Sequence, residues 1–209
     1  LDTRLGLILT LNAEMHHYER YFGATNTSAD PHTFYYSFNW SNTQFVAAEI
    51  SKTEDEDPNS PRNIAHDRWL NKTLAKGQEK DFRILFFHRQ MFSAEENNEV
   101  LIARLVPIIE KYNVSLCLYG HMHEYGRYYH NGHTYVCLGG GGGMQNAYIK
   151  TQNITQKSGM GASFTKLYFT KSGIRLKTFS PTYDVIDDVY LNSHNGMLIP
   201  EKITSYGGL

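Results

Sequence analysis

Two rhythms alternate along the chain: short runs in which nearly every residue is apolar, and longer stretches with apolar residues three and four positions apart. Phe82 to Phe87 and Val114 to Tyr119 are runs of the first kind, and such runs suit strands covered on both faces, as in a mostly parallel sheet. Between them, Glu99 to Tyr112 sets Val100, Leu101, Leu105, Ile108, Ile109 and Tyr112 on one helical face. The three segments together predict a βαβ crossover whose strands end at the same edge of the sheet.

Upstream, Leu5 to Leu11 reads as a buried strand, Glu14 to Phe22 as a short helix and Gly23 to His32 as a loop. Thr33 to Trp40 and Gln44 to Ser51 alternate aromatic or β-branched with polar residues and predict a hairpin. The acidic segment from Lys52 to Arg62 predicts a surface loop, and Asn63 to Lys76 takes up helical spacing through Ile64, Trp69, Leu70 and Leu74. Beyond Tyr125 the pattern turns to antiparallel pairs. Arg127 to His130 and His133 to Leu138 flank an Asn131-Gly132 turn, Ser163 to Thr170 pairs with Ile174 to Ser180, and Asp184 to Leu191 makes a last strand. Five glycines, Gly139 to Gly143, separate these pieces. The expected class is α/β with an added antiparallel layer, residues 1–191 forming the C-terminal portion of a domain and 192–209 a loosely ordered tail.

Composition narrows what such a chain can do. Of 209 residues, 41% are hydrophobic and 20% charged, which excludes a disordered chain or a coiled coil. Twenty Lys and Arg against 21 Asp and Glu give a net charge of −1, so the electrostatic footprint of a nucleic-acid partner is absent. No apolar run approaches the roughly 18 residues that span a bilayer. Cys117 and Cys137 both fall in strand-like runs and read as small buried thiols. Glycosylation sequons at Asn26, Asn39, Asn71, Asn113 and Asn153 point to a secreted or extracytoplasmic glycoprotein. The chain opens on Leu1 and is expected to begin partway through a longer protein.

The candidate chemistry lies in the ten histidines. Open α/β sheets place ligands beyond the carboxyl ends of their strands, where His88 ends one run and Gly120-His121-Met122-His123 ends the next. In an extended segment His121 and His123 point to the same side, so three imidazoles are expected to converge, most economically on a metal. His130 and His133 flank the Asn-Gly turn and read as solvated, the pair His16 and His17 reads as a surface feature, and His32 and His66 stand in no ligand pattern.

His88-Arg89-Gln90-Met91-Phe92, followed by Gly120-His121-Met122-His123-Glu124-Tyr125-Gly126-Arg127, resembles the last two metal motifs of calcineurin-like metallophosphoesterases, the purple acid phosphatase branch above all. The resemblance covers roughly residues 10 to 182. It implies a four-layer α/β/β/α sandwich and a two-metal site of the Fe, Zn or Mn class, with His88 and His121 on one ion and His123 on the other. Asn12 of Leu11-Asn12-Ala13-Glu14 would join the first ion, although Ala13 stands where the family has a phosphate-contacting histidine. Gln90 and Gly126 also depart from the pattern. The D-x-H and G-D-x-x-Y segments that complete such a site should lie upstream of Leu1, so this chain would supply about half of it. The implied activity is hydrolysis of a small phosphate ester by a metal-activated hydroxide, or of a nucleotide diester in a related branch. The alternative is a degenerate domain serving as a binding or scaffold module. The glycine run could offer backbone amides to a phosphate or simply turn the chain.

Overall fold

The structure, a computed structural model, describes residues 35–50, 57–143, 152–194 and 197–200. Leu5 to Leu11, Glu14 to Phe22, Asn12, Ala13 and the histidines at 16, 17 and 32 lie outside the described residues.

The first elements are β1 (Tyr36–Trp40) and β2 (Thr43–Ala47), paired as a hairpin, then helix α1 (Pro61–Lys76) and β3 (Phe82–Phe86). Helix α2 (Glu99–Lys111) and β4 (Leu116–Tyr119) follow, then β5 (Tyr125–His130), β6 (His133–Leu138) and β7 (Thr155–Gly159). These strands form one sheet in the order β1-β2-β3-β4-β6-β5-β7, with β2, β3, β4 and β6 mutually parallel. The expected crossover β3-α2-β4 is present, and β2-α1-β3 is a second one. A four-stranded antiparallel sheet, ordered β11-β10-β9-β8, is built from β8 (Phe164–Phe169), β9 (Gly173–Phe179), β10 (Val185–His194) and β11 (Met197–Pro200).

Period-two alternation sorts the central strands between two cores. Val46, Leu85, Cys117 and Tyr119 face Leu70, Leu74, Leu101, Leu105 and Ile109 of the two helices. Phe45, Ile84, Phe86, Leu116 and Leu118 face Ile174, Leu176, Val189 and Leu191 of the second sheet. Among the described residues helix, sheet and sheet stack as three layers of the expected α/β sandwich. Both helices begin at side-chain caps, since Ser60 accepts from the Asn63 amide and Asn98 from the Leu101 amide, each at 3.1 Å. At their other ends the buried Arg83 donates to the carbonyls of Gly77 (3.3 Å), Lys80 (2.9 Å) and Tyr112 (2.8 Å). One guanidinium thereby satisfies carbonyl groups at the carboxyl ends of both helices.

Three expectations are corrected. The segment 192–209 is not wholly a tail, because β10 runs through His194 and pairs with β11 from His194↔Met197 to Leu191↔Pro200. Strand β7 was unexpected: its sequence TQKSG has no apolar alternation, and among the described residues it pairs with β5 alone, at an edge where polar residues are tolerated. His133 is not solvated; it is 2% exposed, and its Nδ1–H donates to the Val114 carbonyl at 2.9 Å. Both cysteines are buried and free, as expected.

The sheets are joined by polar groups as well as by the apolar layer. Asp187 of β10, 6% exposed, accepts from the Tyr125 hydroxyl and from Arg127 Nε, each at 2.7 Å. Removing one partner of a buried ion pair leaves the other charge uncompensated, at a cost of about 3–5 kcal/mol. Asp187→Ala is therefore expected to lose stability on that scale in urea unfolding, and Asp187→Asn less, since it still accepts from Tyr125; equal, sub-kcal/mol losses would show the pair to be dispensable.

Candidate metal centre

Parallel pairing brings the histidine-bearing segments together. Past the end of β3, the Phe87 amide donates to Leu118 (3.1 Å), and the His88 and Arg89 amides both donate to the Ile50 carbonyl (3.2 and 2.9 Å). Past the end of β4, the Gly120 amide donates to the His88 carbonyl at 3.0 Å. His88 is held on both sides by backbone that follows the neighbouring strands β2 and β4.

The segment 120–124 is not extended. The Met122 amide donates to the Gly120 carbonyl at 2.8 Å, closing a three-residue turn about His121, whose φ is +68°. A second such bond runs from the Glu124 amide to the Met122 carbonyl, also 2.8 Å. A γ-turn with positive φ at a non-glycine residue is strained, and the surroundings hold it in place. Gly139 lies so close to the Met122 carbonyl that a Cβ there would collide with it, and its amide donates to Glu124 at 2.9 Å.

Consequently the spacing of His121 and His123 does not act as it would in a strand. His121 turns to His88: Nδ1 of one lies 3.3 Å from Nε2 of the other, with the rings nearly perpendicular. His123 instead fills the space that the missing side chain of Gly143 leaves. Among the described residues no three His, Cys, Asp or Glu side chains are grouped to hold one ion; the structure brings His88 and His121 together and sets His123 against Gly143. Asn12 lies outside the described residues.

The pair itself fits a cation. Two nitrogen ligands on a tetrahedral ion with bonds of about 2.0–2.1 Å stand about 3.3–3.4 Å apart, which matches the observed separation. Arg89 adds a positive group to the same place, its Nη1 lying 2.7 Å from His121 Nε2.

Next to His123 in the chain is Glu124, 1% exposed. Its Oε1 accepts from the Ala94 amide and from the Tyr128 hydroxyl, both at 2.8 Å, while Oε2 is buried without a hydrogen-bond partner. The carboxyl therefore ties the chain that follows His88 to the turn that carries His121. Tyr119 makes a parallel tie, donating to the Phe92 carbonyl and accepting from the Phe92 amide. Burial pushes the Glu124 carboxyl above the ordinary glutamate range, against the lowering effect of its two donors. Burial likewise raises the thiol of Cys137, which lies against the Gly120 and Met122 carbonyls and stays protonated.

Motif residues beside the histidines thus carry structural work: Tyr125 and Arg127 face Asp187, and Glu124 faces Ala94. The adjacency of Glu124 to His123 was the available signal for this support, whereas Asp187 gives none, being distant in sequence. His66, buried and placed in no ligand pattern, contacts Asp67, which with Arg104 links α1 to α2.

No protein-family model matches the sequence, and no curated protein does. Solved structures do match. One is described as "GAP50 the anchor in the inner membrane complex of Plasmodium", with a TM-score of 0.67 at 18% identity over 83% of this chain and 58% of that one. Another is the purple acid phosphatase PPD1 from seeds of yellow lupin (Lupinus luteus), with a TM-score of 0.62 at 21% identity over 77% of this chain and 33% of that one. The fold is metallophosphoesterase-like. The chain spans 58% and 33% of the lengths of these two neighbours. No described helix is long and apolar enough to cross a membrane.

A raised carboxyl pKa means that the folded state holds its proton more tightly than the unfolded chain, so the penalty is absent below the unfolded value near about 4.3 and grows as pH rises through the folded one. Glu124→Gln, which keeps the acceptor for Ala94 and Tyr128, is expected to gain stability relative to the parent between pH 4 and pH 8 in parallel urea titrations. A constant difference across that range would contradict the buried, proton-holding carboxyl.

Proposed function

We propose that the chain is the C-terminal part of a metal-dependent phosphoesterase that hydrolyses a small phosphate ester. The observation that supports this reading most directly is the 3.3 Å approach of the His88 and His121 ring nitrogens at the carboxyl ends of adjacent parallel strands. It combines with a fold shared with a purple acid phosphatase. In this reading His88 and His121 are neutral imidazole ligands to one cation, with Asn12 as a further ligand, and His123 serves a second. Cations of the Fe, Zn or Mn class in such a site supply an acidified water and neutralise phosphoryl charge.

The chain's own residues prepare that site. The strained turn at His121 fixes the direction of its ring, Glu124 and Tyr119 fix the segment after His88, and Gly143 leaves room for the ring of His123. The run Gly139 to Gly143 borders the same edge and could bring backbone amides toward an anion. An extracytoplasmic location fits the sequons, of which Asn39, Asn113 and Asn153 are exposed.

A second reading, a binding or scaffold module without catalysis, is favoured by one specific observation. Both ring nitrogens of His121 already have protein partners, Nε2 meeting Arg89 at 2.7 Å and Nδ1 meeting His88 at 3.3 Å. The neighbour described as an anchor points the same way.

The two readings separate in one experiment on the full-length protein: metal content together with turnover of a chromogenic aryl phosphate. Stoichiometric transition metal and turnover are expected, and His121→Ala should cut turnover by at least the 10- to 100-fold that losing even an outer-shell partner costs. A metal-free protein, or a His121→Ala variant as active as its parent, would leave the scaffold reading standing.

A further inference from the structure

Arg89 sits where the two readings diverge. An arginine guanidinium can only donate hydrogen bonds, so the 2.7 Å contact of its Nη1 with His121 Nε2 requires a lone pair on that nitrogen. A neutral imidazole carries one proton, which must then be on Nδ1. That Nδ1–H points at His88 Nε2, 3.3 Å away, and engages its lone pair in turn. The three side chains form a one-way relay of donors from Arg89 through His121 to His88.

We propose that Arg89 competes with a cation for His121, so that metal loading requires its guanidinium to leave the ring. This rests on the metal-binding reading given above. For Nδ1 to offer its lone pair to a cation, its proton must pass to Nε2, and Arg89 has no acceptor to receive it there. The two arrangements are alternative tautomers of one neutral ring, and no net proton is gained or lost between them. The positive charge of Arg89 beside a dication adds to the exclusion. Two independent features of Arg89, its donor and its charge, therefore oppose the same event. In the metal-free protein the same contact stabilises the pair, being a charge-assisted bond of the stronger kind. Arg89 is a positioning residue in this account: it sets which nitrogen of His121 carries the proton.

Calorimetric titration of the full-length, metal-stripped protein with Zn2+ alone tests this. Arg89→Met, which removes donor and charge at similar length, is expected to bind Zn2+ more tightly by on the order of tenfold, as loss of a competing charge-assisted hydrogen bond implies. Arg89→Lys, which retains both, should stay near the parent. If the parent binds Zn2+ and Arg89→Met binds no tighter, the competition is refuted while the phosphoesterase reading stands. If neither binds, the metal-binding reading itself fails and the competition with it. If only Arg89→Met binds, the competition is upheld and the native protein is a metal-free module. A measurement on the parent guards against a misfolded variant: nitrogen-15 shifts of His121 in the metal-free protein should show the proton on Nδ1, and a proton on Nε2 would overturn the proposal whatever the variants do.

Discussion

The parallel pairing of β3 with β4 is the constraint from which the candidate site follows. Ile84↔Leu116 and Phe86↔Leu118 are in register, so the chain leaves both strands at the same edge, and the next residues of each are exchanged in hydrogen bonds between Phe87 and Leu118 and between Gly120 and His88. A slip of two residues would carry His121 past His88 by nearly 7 Å at about 3.3 Å per residue. A slip of one residue would turn the side chains that these strands bury against the helices toward the second sheet, and the reverse. Register here is held by two cores at once.

Buried polar groups then make specific connections that apolar layers cannot. Arg83 reads the helix ends, Asp187 with Tyr125 and Arg127 joins the sheets, and Glu124 joins the two histidine segments. Each is nearly excluded from water, where an unmet group costs most. Of these groups Glu124 keeps one buried oxygen unmatched, and it follows His123 directly in the chain. Residues on either side of the candidate centre are therefore held by bonds that depend on direction, not merely by burial.

Much of this was legible in the sequence wherever burial imposes a pattern. Phe82 to Phe87, Glu99 to Tyr112 and Val114 to Tyr119 fall within a residue or two of β3, α2 and β4, because a strand covered on both faces and a helix covered on one leave distinct rhythms. The pairing of His88 with His121 was legible for the same reason. What was not legible depends on contacts between distant parts of the chain or on local backbone turns. The i, i+2 spacing suggested a shared direction for His121 and His123, but a positive φ at His121 breaks that periodicity, and nothing in the residue type announces it. His133 looked like a turn residue because its neighbours are Asn131 and Gly132, yet the sheet buries it against Val114. Strand β7 has no hydrophobic rhythm to detect, since among the described residues this polar strand is placed by its pairing with β5.

The turn at His121 has a consequence for how any ligand would arrive. Its backbone is fixed by the bond to Gly120, the glycine at 139 and the carbonyl contacts of Cys137 before anything binds. The conformational entropy of ordering the segment has been spent in folding, so a ligand meeting these rings loses little of its binding energy to immobilising them. Affinity at this edge would then be governed by what the rings must let go of, not by what they must assemble.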